Sequence, residues 1–155
     1  MLMAVCPPGW PPVRRKRRGA PRSQAGNDGM NETAPAPPLR ILIVEDDAMI
    51  GMLLGEMLEA MGYSVCSIAT TEDEAVRDAL ALAPELMIVD IQLRKGGGAS
   101  AVATISQSRD IPCVFVSGDT SDSSGAPAGA VMLAKPYDEA GLTAAMARVL
   151  KLAVS

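Results

Sequence analysis

The sequence predicts an α/β fold, a parallel β-sheet with helices on both faces. Two patterns predict it. From Leu39 onward, apolar runs of strand length alternate with stretches of helical period, and carboxylates, a serine and a lysine stand where the apolar runs end. Over 155 residues, 48% hydrophobic and 21% charged residues suit one globular domain rather than a disordered chain. Aromatic residues make up only 3%, so Ala, Val, Ile, Leu and ten flexible Met must fill the core.

The elements follow in order. Arg40–Glu45 (RILIVE) reads as a strand buried on both faces. Ala48–Met61 places Ile50, Leu53, Leu54, Met57, Leu58 and Met61 at spacings of three and four, one face of a helix that Gly62 stops. Tyr63–Ala69 is the second strand. Thr71 and Glu74 have capping-box spacing and open a helix that runs to about Ala83, ahead of Pro84. Glu85–Asp90 (ELMIVD) is the third strand, Gly96–Gly98 a loop, and Ala99–Ser108 a helix. Pro112–Ser117 (PCVFVS) is the fourth strand and Val131–Ala134 the fifth. Asp138–Leu152 is the last helix, with Asp138 as its N-cap and Leu142, Ala145, Met146, Val149 and Leu150 buried. Between the last two strands, Gly118–Ala130 is polar, rich in Gly and Ser, and has no apolar stripe. A helix there is expected to be short or disordered. Five strand–helix units joined by right-handed crossovers imply a flavodoxin-like, doubly wound five-stranded parallel sheet of order 2-1-3-4-5.

The net charge of −4 divides unevenly. Residues 1–29 hold six basic residues and one acid, net +5; residues 30–155 hold eight basic and seventeen acidic residues, net −9. Residues 1–38 are expected to form a disordered, basic, Pro-rich tail, and residues 39–155 the folded domain. Two readings of residues 1–29 are favoured: a solvated tail without a role, or a stretch ahead of a start at Met30. A basic run such as RRKRR, without a folded reader or interleaved aromatics, is a weak nucleic-acid signal.

No histidine is present, which excludes His-based acid–base catalysis and His metal ligands. Cys6, Cys66 and Cys113 lack C-x-x-C spacing, so buried free thiols are expected and a zinc site or disulfide framework is not. Reduced thiols point to the cytoplasm. No apolar run reaches the length of a membrane span. No Gly-rich phosphate loop follows the first strand, which disfavours a nucleotide or flavin site.

The chemistry gathers at the strand ends. The first strand ends in Glu45-Asp46-Asp47, the third in Asp90, the fourth in Ser117 and the fifth in Lys135-Pro136. An open parallel sheet of this order binds ligands at these carboxyl ends. Carboxylates converging there repel one another unless a cation joins them. Oxygen donors alone select a hard ion, Mg²⁺ or Mn²⁺. A carboxylate can attack a phosphoryl group once that group's charge is neutralised. Lys135 can supply part of the positive charge, and the Ser117 hydroxyl can donate to a phosphoryl oxygen. Asp47 alone reads as an acidic helix start.

The motifs VEDD, IVD, VSG and AKPY, in this order and spacing, resemble the receiver domain of two-component response regulators over about residues 39–152. The resemblance implies that Asp90 is the phosphoacceptor and that Glu45 and Asp46 form the acidic metal pair. Asp46 would be the direct ligand, and the backbone carbonyl of Gln92 a further one. It also implies that Ser117 is the switch hydroxyl, that Lys135 is the family's lysine, and that the Lys135–Pro136 bond is cis. The phosphodonor would be a histidine kinase or phosphotransfer protein, and output would pass by contact with a target protein. Such a domain catalyses only its own phosphoryl transfer and dephosphorylation. With the chain ending at Ser155, no output domain is expected.

Three departures qualify this reading. The loop IQLRKGGGAS lacks the family's Met-Pro pair, and its glycines suggest a looser loop, as in stand-alone receivers of the FATGUY-like type. Met132 stands where the family often has a swinging Tyr or Phe. The segment after Ser117 has little helix propensity. Together these suggest that phosphorylation orders residues 118–130 instead of rotating an aromatic ring. The alternative is a diverged receiver acting as a phosphorylation-independent binding module. A haloacid-dehalogenase-type phosphatase is disfavoured, because Gln92 stands where its second Asp is needed.

Overall fold

The computed structural model describes residues 36–118 and 125–154. The tail expected over residues 1–38 lies almost wholly outside the described residues, as does Cys6. Five parallel strands, β1 Arg40–Val44, β2 Ser64–Ala69, β3 Leu86–Asp90, β4 Cys113–Ser117 and β5 Val131–Ala134, form one sheet of order β2-β1-β3-β4-β5. Helices α1 Ala48–Ala60, α2 Glu72–Leu82, α3 Gly98–Ser106 and α4 Glu139–Val154 connect and cover them. The predicted strands match within a residue or two at each end.

The sheet works because its central strands are apolar on both faces. Alternate side chains point to opposite sides of a strand. Ile41, Ile43, Ile88, Val114 and Val116 therefore pack against Leu54 and Leu58 of α1 and Leu142 and Met146 of α4. Leu42, Val44, Met87, Val89 and Phe115 pack against Ala75 and Ala79 of α2 and Ala101 and Ile105 of α3. The chain leaves β1 toward β2 on one side and returns to β3 on the other. This reversal opens the rim beside the ends of β1 and β3.

Helix α1 is rotated from its predicted face. Ile50 and Leu53, expected inside, are 40% and 59% exposed, beside the exposed Met49 and Met52. Gly51 and Gly55 are buried instead, with Leu54 and Leu58. A Cβ on Gly51 would come within 2.8 Å of Ile68 Cγ2. The two glycines thus let the helix backbone approach β2, and this approach turns the larger residues outward.

The helix ends also follow local chemistry. Thr71 accepts from the Glu74 N–H at 3.2 Å, but Glu74 reaches back to the N–H and hydroxyl of Thr70 rather than to Thr71 itself. The capping box is therefore displaced by one residue on its return side. Asp138 caps α4 by accepting from the Gly141 N–H at 2.8 Å. Residues 125–130, leading into β5, carry no helix. Residues 119–124, where the rest of the expected short helix would fall, lie outside the described residues. Cys66 and Cys113 are free thiols, but part-exposed rather than buried; the Cys66 Sγ donates to the Ile41 carbonyl.

Candidate functional site

The carboxyl ends of β1, β3, β4 and β5 meet at one rim. Glu45 follows β1 directly and is 5% exposed; Asp90 is the last residue of β3 and 7% exposed; Ser117 ends β4 at 2%. These are the three buried polar or charged residues among those described. Ladder bonds continue past the strands and hold their ends in register. The Glu45 N–H donates to Ala69 O, Ile91 N–H to Val116 O, and Lys135 N–H to Ser117 O at 2.8 Å. The last of these places the Lys135 backbone beside the end of β4. The Lys135–Pro136 bond is cis.

The Lys135 ammonium stands 2.9 Å from Asp90 Oδ2 and 3.4 Å from Glu45 Oε2. Asp90 Oδ1 accepts from the Gln92 N–H at 2.8 Å, and Glu45 Oε1 accepts from the Asp47 N–H at 3.2 Å. Asp47 itself is the N-cap of α1, accepting from the N–H groups of Met49 and Ile50. Its role is local, as its position at a helix start predicts. Glu45, Asp46 and Asp90 each offer an oxygen, and these oxygens lie within 4.8 Å of one another. Together with Gln92, Arg94 and Lys135 they line an open cleft of about 450 Å³.

The electrostatics follow from this crowding. Burial, then the hydrogen bond and charge of Asp90, push the Glu45 carboxyl up to about 7, against the pull of the Asp47 N–H and Lys135. Burial disfavours the Lys135 cation, but the hydrogen bond and charge of Asp90, with those of Glu45, outweigh it and raise the ammonium. Lys135 at Glu45 and Asp90, with Arg94 at Asp46, still leaves three carboxylates facing two cations. The donor set is all oxygen, compact and short of positive charge, so it fits a hard divalent ion.

Two features of the rim escape a reading by sequence. The loop after Asp90 is pinned, not loose. Glu72, at the start of α2, accepts from the Gly97 N–H at 3.0 Å and from the Ser100 hydroxyl at 2.7 Å. These bonds hold its carboxyl below the usual range. Gly96 has φ +82°, and a Cβ there would strike Glu72; Gly98 lies against the carbonyl of Asp90. The glycines thus serve close approach rather than slack. The second feature is Arg94. Its N–H donates to Asp46 Oδ2 at 3.1 Å, and its Nε lies 3.4 Å from the same oxygen. A cation four residues past a strand-end carboxylate was the available signal. Met132 sits in β5 opposite Phe115 and is 38% exposed.

Comparison with known proteins places this rim in context. The family model described as "Response regulator receiver domain" matches residues 41–147. The phyllosphere-induced regulator PhyR of Methylorubrum extorquens is 32% identical over 123 residues, which cover 77% of this chain and 46% of that protein. The matches span between about a quarter and about half the length of the curated relatives. Among solved structures, the anti-anti-sigma factor PhyR from Bartonella quintana has a TM-score of 0.67 at 28% identity, covering 77% of this chain and 50% of that one. The solution structure of the receiver domain of Erythrobacter litoralis PhyR has a TM-score of 0.66 at 25% identity, covering 74% and 91%. Among the described residues, no helix is long and apolar enough to cross a membrane.

Proposed function

The chain belongs to the response regulator receiver family, and from that premise we propose that it takes a phosphoryl group onto Asp90. The donor is a histidine kinase or phosphotransfer protein, and the phosphorylated domain signals by contact with another protein. An Asp90 carboxylate oxygen attacks phosphorus, the bond from phosphorus to the donor nitrogen breaks, and the donor imidazole keeps the electron pair. Lys135, already bonded to Asp90, steadies the carboxylate and then pairs with a phosphoryl oxygen. Ser117 donates its hydroxyl to another phosphoryl oxygen. Glu45, Asp46, Asp90 and the backbone carbonyl of Gln92 would hold Mg²⁺ or Mn²⁺. When bound, the ion supplies the positive charge that lets an anionic nucleophile approach an anionic donor.

The observation that carries this reading is the convergence of Glu45, Asp46 and Asp90 at the sheet's switch point, with Lys135 bonded to Glu45 and Asp90. In this reading residues 39–155 are the receiver domain and residues 1–38 a tail ahead of it. The test is incubation with a small phosphodonor and Mg²⁺, read by intact mass. The wild type gains one phosphoryl group, and Asp90→Asn gains none. No gain in the wild type overturns the proposal and favours a phosphorylation-independent binding module.

A further inference from the structure

We propose that Arg94 is a resident counterion of the acidic cleft and competes with the divalent cation for Asp46. The inference rests on the cation site proposed above. Arg94 makes two contacts to a single oxygen, Asp46 Oδ2: its backbone N–H at 3.1 Å and its Nε at 3.4 Å. That carboxylate belongs to the three-oxygen cluster with Glu45 and Asp90. The cleft therefore holds two protein cations of different kinds. Lys135 is fixed: its side chain is 29% exposed and bonded to both Glu45 and Asp90. Arg94 is removable: its side chain is 82% exposed, and Asp46 is the partner that draws it to the rim.

A divalent ion among the three carboxylates draws on the Asp46 charge that now attracts Arg94, and it repels the guanidinium at close range. The two cations are alternatives at this carboxylate. The backbone bond is not subject to the same exchange, because Glu72 holds the following residues through Gly97 and Ser100. Only the guanidinium has to swing, and no buried packing resists it. Arg94 thus sets how much cation is needed before the cleft is loaded, and it returns when the ion leaves.

The test is Mn²⁺ binding by calorimetry at low ionic strength, on the full chain and two variants. Arg94→Ala removes the competitor and should bind Mn²⁺ about two- to five-fold more tightly, the range an exposed ion pair supports. Lys95→Ala removes the same formal charge from the next residue, which has no described bond to the cluster, and should shift the affinity less. Added salt should narrow the gap between Arg94→Ala and wild type. Equal affinities of Arg94→Ala and wild type overturn the inference. So does an equal shift in both variants, because net charge alone would then explain it. A wild type that binds no Mn²⁺ at millimolar concentration overturns the cation site itself, and the inference falls with it.

Discussion

Gly98 opens α3 with its backbone laid against the carbonyl of Asp90, leaving no space for even a methyl group between them. The contact ties the first turn of a helix to the residue proposed to carry the phosphoryl group. With Gly96 against Glu72, it shows that two of the loop's three glycines serve close packing rather than a hinge.

Substitution at Gly98 tests that contact. Gly98→Ala forces a methyl group against the Asp90 carbonyl and should cost about 1–3 kcal/mol of stability, the usual range for overpacking a filled site. Gly97→Ala meets only Ser100, at ordinary contact distance. It keeps the N–H that bonds Glu72 and, though it changes the N-cap of α3, should cost less than Gly98→Ala. Urea unfolding of both variants beside wild type measures the difference, and equal costs would contradict the close approach.

Glu72 supports the same loop from α2. Glu72→Ala removes the acceptor of the Gly97 N–H and the Ser100 hydroxyl. Amide exchange of Gly97 should then quicken, while exchange in β3 stays slow. Protection at Gly97 equal to wild type would show that the carboxylate does not hold the loop.

Lys135 holds charge balance at the rim. Lys135→Ala leaves Asp90 and Glu45 buried without their cation. The expected cost is about 1–3 kcal/mol at neutral pH. Acid should recover part of it, because protonation removes the stranded charge. Denaturant midpoints at pH 5 and pH 7.5 should show a larger gap from wild type at the higher pH.

Glu45 gives the domain a pH dependence of definite sign. Its folded-state value of about 7 lies above its ordinary 4.5, so the folded state holds the proton more tightly. Its contribution to stability is complete below pH 4.5, declines as pH rises toward 7 and is constant above that. The raised Lys135 ammonium changes nothing in this window, since its contribution is lost only in strong alkali. In chelator, wild type should lose stability between pH 4.5 and 7 relative to Glu45→Gln. Thermal melts across that range measure the slope. A wild-type slope no different from that of Glu45→Gln would contradict the assignment.

The strands were legible in the sequence because their burial leaves little choice. RILIV, LMIVD and CVFVS are apolar on both faces, and only a sheet covered on both sides accepts such runs. The acids, Ser117 and Lys135 were legible as a set because each directly follows or ends a run whose direction is already known. Helix rotation was not legible. A period of three to four marks Ile50 and Leu53 as inward, but the helix turns to the side where Gly51 and Gly55 permit approach to Ile68. Periodicity gives glycine little weight, whereas packing rewards its missing side chain.

Sequence by itself therefore determined the order of the elements, the side of the sheet where charge collects and the identity of the carboxylates gathered there. Tertiary structure alone decided that Arg94 joins Lys135 at those carboxylates and that Glu72 holds the loop beside them. Arg94 reaches Asp46 across 48 positions of chain, and Glu72 reaches Gly97 across 25. Local pattern carries burial and backbone preference, which depend on near neighbours. A hydrogen bond between distant residues exists only after the sheet has brought two strand ends within a few ångströms.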